Sequence, residues 1–152
     1  MAMREEAEDN SLELFTVLSR AHNWVHAYAA RDHRRYGLNP TEFGILELLY
    51  HKGPMQLQQI GAKILISSGN ITYSVDKLVQ KQLLIRRHAQ DDRRVIFAEL
   101  TSQGRTLLDE IFPQHTEALQ IALNGLTSEE KEQAIFLLKK LGLSAQANFQ
   151  RE

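Results

Sequence analysis

Cysteine is missing from all 152 residues. Its absence excludes disulfides, a thiolate nucleophile, a thiol redox switch and any cysteine-based zinc site. Long apolar runs are missing too, and none approaches the ~20 residues that span a bilayer. The opening stretch from Met1 to Asp9 is charged and has no apolar core segment, so it does not read as a secretory signal. There is no glycine-rich phosphate loop, no nucleophile elbow and no His-Glu-x-x-His run, and arginines follow the Asp91-Asp92 pair. No internal repeat or low-complexity segment is present. These absences argue against an enzyme, a cofactor or a membrane partner, and for a cytoplasmic protein. What remains is 43% hydrophobic and 24% charged, a composition that can bury a core. The length suits one domain, or one domain with an oligomerisation arm.

The overall charge of −1 conceals an asymmetry. Residues 67–98 carry six basic side chains (Lys77, Lys81, Arg86, Arg87, Arg93, Arg94) against three acidic ones, a local charge of +3 between acidic flanks. Such a block is what docking an anionic partner on one surface requires.

Helical periodicity runs through residues 10–35 on Leu14, Leu18, Ala21, Val25, Tyr28 and Ala29, and breaks at Tyr36-Gly37-Leu38. Asn39-Pro40-Thr41-Glu42 opens a second helix as a capping box with proline in its first turn. Phe43 to Tyr50 is apolar almost all round, which predicts a centrally buried helix. A short third helix is expected over 56–63. Ser67 is a suitable cap for a fourth, with Ile71, Val75, Leu78 and Val79 on its inner face. Its outer face then presents Ser68, Gly69, Asn70, Thr72, Tyr73 and Lys77. Leu83–Arg87 and Val95–Leu100 read as strands around a charged hairpin tip. Thr101 caps a fifth helix whose stripe is Leu108, Ile111, Phe112, His115, Leu119 and Ala122, with Pro113 inside it. Thr127 to Glu130 forms a second capping box and opens a sixth helix, with Ile135, Leu138 and Leu141 inward, a stop at Gly142 and a frayed end from Gln146.

Helix, short helix, turn, helix and hairpin in that order make a winged helix-turn-helix: a mainly α fold with a small β-hairpin wing. The major groove of B-DNA, ~12 Å wide, admits a helix of this kind. Ser67, Ser68, Gly69, Asn70 and Thr72 in its first turn let the backbone N–H groups approach phosphate, and Tyr73 and Lys77 follow one turn later. Arg93 and Arg94 at the hairpin tip can reach the adjacent minor groove or sugar-phosphate wall. Each feature alone is an ordinary solvated surface; together, inside the one basic block, they favour DNA.

Residues 38–104 resemble the MarR family of bacterial transcription regulators. The resemblance is carried by Leu38-Asn39-Pro40-Thr41-Glu42-Phe43, Leu57-Gln58-Gln59-Ile60-Gly61, Ser67 to Thr72, Asp76-Lys77-Leu78, and Asp92-Arg93-Arg94 through Leu100-Thr101-Ser102-Gln103-Gly104. It implies a homodimer in which helices 1, 5 and 6 intertwine, binding to a pseudo-palindromic double-stranded operator, and release by a small, often phenolic molecule. Residues 1–37 and 105–152 would then be dimerisation arms around a reader at 38–104. The apolar stripes of those arms independently call for a partner surface.

The segment Gln58 to Ile66, with Leu126-Thr127, is similar to the quinone- and hydroquinone-responsive branch of the family. Phe15, Phe43, Glu47 and His115 are the candidate effector residues: aromatic walls, one carboxylate and one imidazole suit a planar phenol. Each also has an ordinary structural role open to it, in a core or an ion pair. His22 and His26, four residues apart with His33 beyond, lack a capping carboxylate at matching spacing and read as a solvated face, not a metal site. Two other functions stay open on the sequence: a winged helix that binds an acidic protein, and a DNA-binding protein with no effector.

Overall fold

The computed structural model describes residues 9–64 and 68–151. Along the described chain run α1 (Ser11–Arg34), α2 (Pro40–Lys52), β1 (Met55–Gln56), α3 (Leu57–Ile64), α4 (Ser68–Gln80), β2 (Leu84–His88), β3 (Ile96–Leu100), α5 (Ser102–Ala122) and α6 (Ser128–Arg151). The fold is mainly helical with a small antiparallel sheet. The chain divides into two compact units, one ending at Leu119 and the other beginning at Gln120.

In the first unit α2 is the hub. Its start is fixed by the expected capping box: Glu42 N donates to Asn39 Oδ1 at 2.8 Å and Asn39 N donates to Glu42 Oε1 at 3.2 Å. Phe43, Ile45, Leu46 and Leu49 are all buried, and neighbours pack around the helix instead of against one side. Ile71, Val75 and Leu78 of α4 fill the same core with Ile60, Leu84, Ala98, Leu108 and Ile111. Tyr50 stacks on Phe112 at 5.5 Å and donates its hydroxyl to Asp109, joining α2 to α5.

Two helices end in the same closure. At α1, Leu38 N donates to His33 O (3.2 Å) and Gly37 N to Arg34 O (3.1 Å), with Gly37 at φ 70°. At α4, Leu83 N donates to Leu78 O (3.0 Å) and Gln82 N to Val79 O (2.9 Å), with Gln82 at φ 63°. Both are Schellman turns, which satisfy carbonyls that a helix end otherwise leaves without a partner.

The sheet has the order β1-β3-β2, with Leu84 opposite Leu100 and His88 opposite Ile96. The hairpin follows the sequence reading. β1 does not: two residues after Gly53-Pro54 carry no periodicity, and Met55 pairs with Ala98 only because the third strand is already in place. It takes Gln56 from the expected start of α3, which begins at Leu57.

The Leu-Thr-x-x-Gly segment is a corner with strict sterics. Thr101 N donates to Leu83 O (3.1 Å), the Thr101 hydroxyl donates to Gln82 O (2.7 Å), and Gly104 N donates back to that hydroxyl (2.9 Å). A Cβ on Gly104 would lie 2.3 Å from Leu83 O.

The second unit contains α6, opened by the expected capping box between Thr127 and Glu130. The expected stop at Gly142 is corrected: α6 runs unbroken to Arg151, so the end from Gln146 is helical as well. A glycine ends a helix by turning left-handed; Gly142 has no positive φ, and inside a helix it costs only about 1 kcal/mol. Ile135, Leu138 and Leu141, expected inward, are exposed on this chain, as are Phe136, Leu143 and Phe149. In α5 the helix continues through Pro113, with Leu108, Ile111 and His115 buried on its stripe. Among the described residues no helix is long and apolar enough to cross a membrane.

Gly104→Ala sets a methyl group against the backbone carbonyl that closes α4. It should cost about 1–3 kcal/mol, as overpacking does, and lower the thermal midpoint by about 2–4 °C per kcal/mol. A midpoint equal to that of the unaltered protein would show that the corner is not this tight.

Candidate nucleic-acid interface and buried polar cluster

α4 turns one face into the core and leaves the other open. Gly69, Asn70, Thr72, Tyr73 and Lys77 are exposed on that face, while Ile71, Ser74, Val75 and Leu78 are buried. The Lys77 ammonium sits 5.4 Å from the Tyr73 ring centre, a cation-π pairing that holds both on the outer face. Asn70 and Thr72 are themselves engaged in interactions. Ser67 lies outside the described residues, as does the side chain of Ser68. A cleft of about 630 Å³ lies between α4 and the wing, lined by Gln56, Leu57, Ile71, Thr72, Arg94 and Val95 among others.

The six cations of the basic block are deployed unequally. Arg86 pairs with Asp76 and also donates to Thr72 O at 3.4 Å, pinning β2 to α4. Arg87 faces Glu99 across the hairpin at 3.7 Å. Lys81 turns away to Glu42 at 2.7 Å. Arg94 is bound by its neighbour: its backbone N–H and its guanidinium donate to Asp92 Oδ1 at 3.0 and 3.2 Å. These bonds, the guanidinium first, hold the Asp92 carboxyl below its ordinary range. Among the described residues Lys77 and Arg93 are the cations of the block in no ion pair. The wing tip itself is ordered by short bonds, His88 Nδ1 donating to Arg93 O (2.8 Å) and Ala89 N to Val95 O (2.9 Å). The cations exposed on α4 and at the wing tip are therefore Lys77 and Arg93 with the Asp92-bound Arg94. Arg86 and Lys81 serve as braces.

A second feature lies beneath, where the end of α1 meets α2 and α5. Phe43 and His115, two of the four candidate effector residues, come together here with ring centres 4.6 Å apart. His33 of α1 stacks flat on Phe43 at 3.9 Å, and His115 Nδ1 lies 3.5 Å from Asp32 Oδ2. Phe112 stands edge-on to His115. Glu47 is half-buried one turn beyond Phe43 on α2. Phe15 is not in the group: it is exposed on α1, and 18 residues of helix at 1.5 Å each put it ~27 Å from His33.

The cluster is polar, buried and incompletely bonded. Asp32, His33 and His115 are each about 95% buried. Asp32 Oδ2, both nitrogens of His33 and Nδ1 of His115 have no hydrogen-bond partner. Burial, and then the neighbouring His115, push the pKa of His33 down to about 4, against the opposing pull of Asp32. At neutral pH His33 is an uncharged imidazole with one donor and one acceptor unused. Asp32 escaped the sequence reading, although it falls at i+7 and i+4 on the stripe of Val25 and Tyr28. A carboxylate on an apolar stripe is the signal that would have found it. His33, expected on a solvated face with His22 and His26, is instead buried because the end of α1 packs on Phe43. His22 and His26 do form the solvated pair expected of them, exposed with rings stacked at 5.5 Å. Among the described residues no group of three metal-ligating side chains is arranged to hold a metal.

Because the folded pKa of His33 lies below its unfolded value near 6.5, the unfolded chain binds the extra proton first. Stability present above pH ~6.5 should therefore be lost as pH falls toward 4. His33→Phe, which keeps the stack on Phe43, should flatten that part of a plot of thermal midpoint against pH; an unaltered slope would mean that His33 is not neutral in the fold.

Comparison with known proteins fits this architecture. The MarR family model matches residues 38–96. The transcriptional regulator MhqR of Bacillus subtilis is 51% identical over 137 residues, covering 90% of this chain and 94% of MhqR. Among solved structures, Bordetella bronchiseptica BpsR, described for regulation of its DNA binding by 6-hydroxynicotinic acid, has a TM-score of 0.77 at 25% identity, covering 85% of this chain and 92% of BpsR. A MarR variant of E. coli complexed with operator DNA has a TM-score of 0.79 at 19% identity, over 87% of this chain and 96% of that one, a likeness of fold. The chain belongs to the MarR family of winged-helix DNA-binding transcriptional regulators.

Proposed function

We propose that the protein is a homodimeric repressor that reads a pseudo-palindromic operator and releases it when a small phenolic or quinone-like molecule enters the Asp32–His33–His115 cluster. The observation that carries the effector reading is the set of four buried polar atoms that make no hydrogen bond, two of which, Asp32 Oδ2 and His115 Nδ1, face each other at 3.5 Å. An unpaired buried polar group costs ~1–3 kcal/mol, so a planar ligand that offers hydroxyl or carbonyl groups to these atoms gains what the cluster by itself forgoes. As a small aromatic regulator of DNA binding, the BpsR ligand supports the same chemistry. The side chains fill the cluster themselves in this conformation, so a ligand has to part α1, α2 and α5 to enter.

Dimerisation is supported by the apolar side chains left in the open. Leu12, Leu14, Phe15, Val17 and Trp24 on α1 are exposed, and so are Ile135, Phe136, Leu138, Leu143 and Phe149 on α6. Patches of this kind mark surfaces that a partner covers. In this reading residues 1–37 and 105–152 are the arms and 38–104 the reader. Phe15 serves the effector site only from the second copy. Half-sites about 34–36 Å apart demand a fixed spacing of the two α4 helices. A ligand that prefers another spacing shifts the population, and moving it from 1:99 to 99:1 takes about 5.5 kcal/mol of differential affinity.

On the reader, Ser67, Ser68, Gly69, Asn70, Thr72 and Tyr73 follow the groove, with Lys77, Arg93 and Arg94 on phosphate or minor-groove edges. The test is a mobility-shift series on DNA upstream of the protein's own gene, across salt concentrations, with and without a panel of phenols, hydroquinones and benzoquinones. Shifted DNA that no member of the panel releases would refute the effector reading; no preference over random duplex would refute the operator reading. Arg93→Ala should weaken binding to all duplexes alike and lower the slope of log affinity against log salt by about 0.9 per protomer. An unchanged slope would take Arg93 off the phosphates. His115→Ala should leave operator affinity within about twofold while raising the ligand concentration needed for release by about tenfold or more, in line with the loss of a buried hydrogen-bonding group. Release at the original concentration would move the effector elsewhere.

A further inference from the structure

Lys81 belongs to the basic block by sequence, yet its half-exposed side chain folds back onto the α1–α2 turn. Nζ donates to Glu42 Oε2 at 2.7 Å and to Gly37 O at 2.8 Å. Three helix ends thus meet at one cation. Lys81 follows the last residue of α4, Gly37 is the left-handed residue of the turn that closes α1, and Glu42 completes the capping box of α2. Glu42 is nearly buried, its side chain 7% exposed, and its other oxygen is committed to Asn39 N. The turn that supplies Gly37 hangs on His33, whose carbonyl accepts from both Tyr36 N and Leu38 N. Phe43, next to Glu42, is the ring on which His33 stacks.

We infer that Lys81 is a positioning residue for DNA reading: it fixes the end of α4 to the α1–α2 turn without touching DNA, and through it the state of the His33–Phe43 stack reaches the recognition helix. The effector cluster and the helix proposed to read the groove already share the apolar core around α2, a contact that is not directional. The ammonium is the polar tie between them, and it is built from charge-assisted bonds, which are stronger and more directional than neutral ones. Parting α1 from α2 carries Gly37 away from Glu42. Lys81 then keeps one partner, and α4 is freed to tilt with the other.

The coupling half of this inference rests on the effector reading above; the positioning half rests on the fold alone. The experiment compares Lys81→Met, Lys81→Arg and Lys77→Met in the full chain, with DNA affinity measured across salt, hydroquinone binding measured on the free protein, and DNA affinity remeasured at saturating hydroquinone. Lys81→Met should bind the operator about tenfold more weakly, within the usual range of coupling between sites, at an unchanged salt slope, and Lys81→Arg should restore binding. Lys77→Met, by contrast, should lower the slope by about 0.9 per protomer. Hydroquinone should bind Lys81→Met within twofold of its original affinity, while the factor by which it weakens DNA binding falls toward one. A salt slope that drops in Lys81→Met would place Lys81 on phosphate and overturn the positioning role. A full-sized release factor in Lys81→Met would overturn the coupling. If hydroquinone does not bind the unaltered protein, the coupling half falls with the effector reading, and the slope of Lys81→Met still decides the positioning half.

Discussion

The burial of α2 on nearly every side governs the rest of the first unit. A helix that is apolar all round cannot lie on a surface, so its neighbours have to enclose it. Phe43, Ile45, Leu46 and Leu49 take up that role, and α4 and α5 each give it one apolar stripe, Ile71-Val75-Leu78 and Leu108-Ile111. Once α4 has spent its apolar face on α2, only its polar face is left for solvent. The groove-reading surface is therefore a by-product of packing. The same enclosure brings the end of α1 over Phe43, and this sets two histidines and an aspartate in a place where their polar atoms are only partly satisfied. Native cores rarely keep such groups without a reason. One helix thus generates both the polar outer face of α4 and the buried polar cluster on which the proposed function rests.

Net charge proves to be a poor guide to which side chains face the partner. The central block is basic by count, yet Arg86, Arg87, Lys81 and Arg94 are each within reach of a carboxylate. Two of these pairs brace the reader: Arg86 ties β2 to α4, and Lys81 ties α4 to the helix ends behind it. A bound cation adds little to a long-range field, since its carboxylate cancels it beyond about a Debye length of ~10 Å. What this face leaves unpaired is a few localised charges on a rigid frame, a geometry that, on the proposed reading of DNA, favours register over bulk attraction.

Sequence made the local features legible and hid those that depend on distant neighbours. Both capping boxes, at Asn39-Glu42 and Thr127-Glu130, form as the spacing predicts, because all their atoms lie within four residues. The amphipathic face of α4 and the hairpin were readable for the same reason. β1 was not, since Met55 becomes a strand only through its pairing with Ala98. Gly142 misled because glycine permits a left-handed turn without requiring one. On α6 the apolar positions expected to face inward are exposed on this chain, and those of the α1 stripe are exposed or half-buried, because no pattern in one chain says whether a stripe is covered by the same chain or by another. The effector candidates divide along this line too. Phe43 and His115 converge because α2 and α5 both pack in the core, and Phe15 lies far along α1. Asp32 stays hidden in the sequence, and His33 reads there as a solvated histidine, because burial, which gives both their chemistry, is a tertiary property.

The order of residues through the α1–α2 junction joins these threads. His33 lies in the buried cluster, Gly37 accepts from Lys81, Glu42 accepts from Lys81, and Phe43 is back in the cluster against His33. Cluster and tie alternate within eleven residues, along a turn held by backbone bonds from Tyr36, Gly37 and Leu38. A tight turn of this kind cannot absorb a displacement by stretching, because its carbonyls and amides are already paired. Any rearrangement of His33 against Phe43 is passed on to Gly37 and Glu42, and the group that bridges them is attached to the end of α4. Packed interiors shift between discrete arrangements and do not deform continuously. On the proposed effector reading, a small ligand between the two imidazoles has a direct mechanical route to α4, through a path no longer than one turn and one lysine.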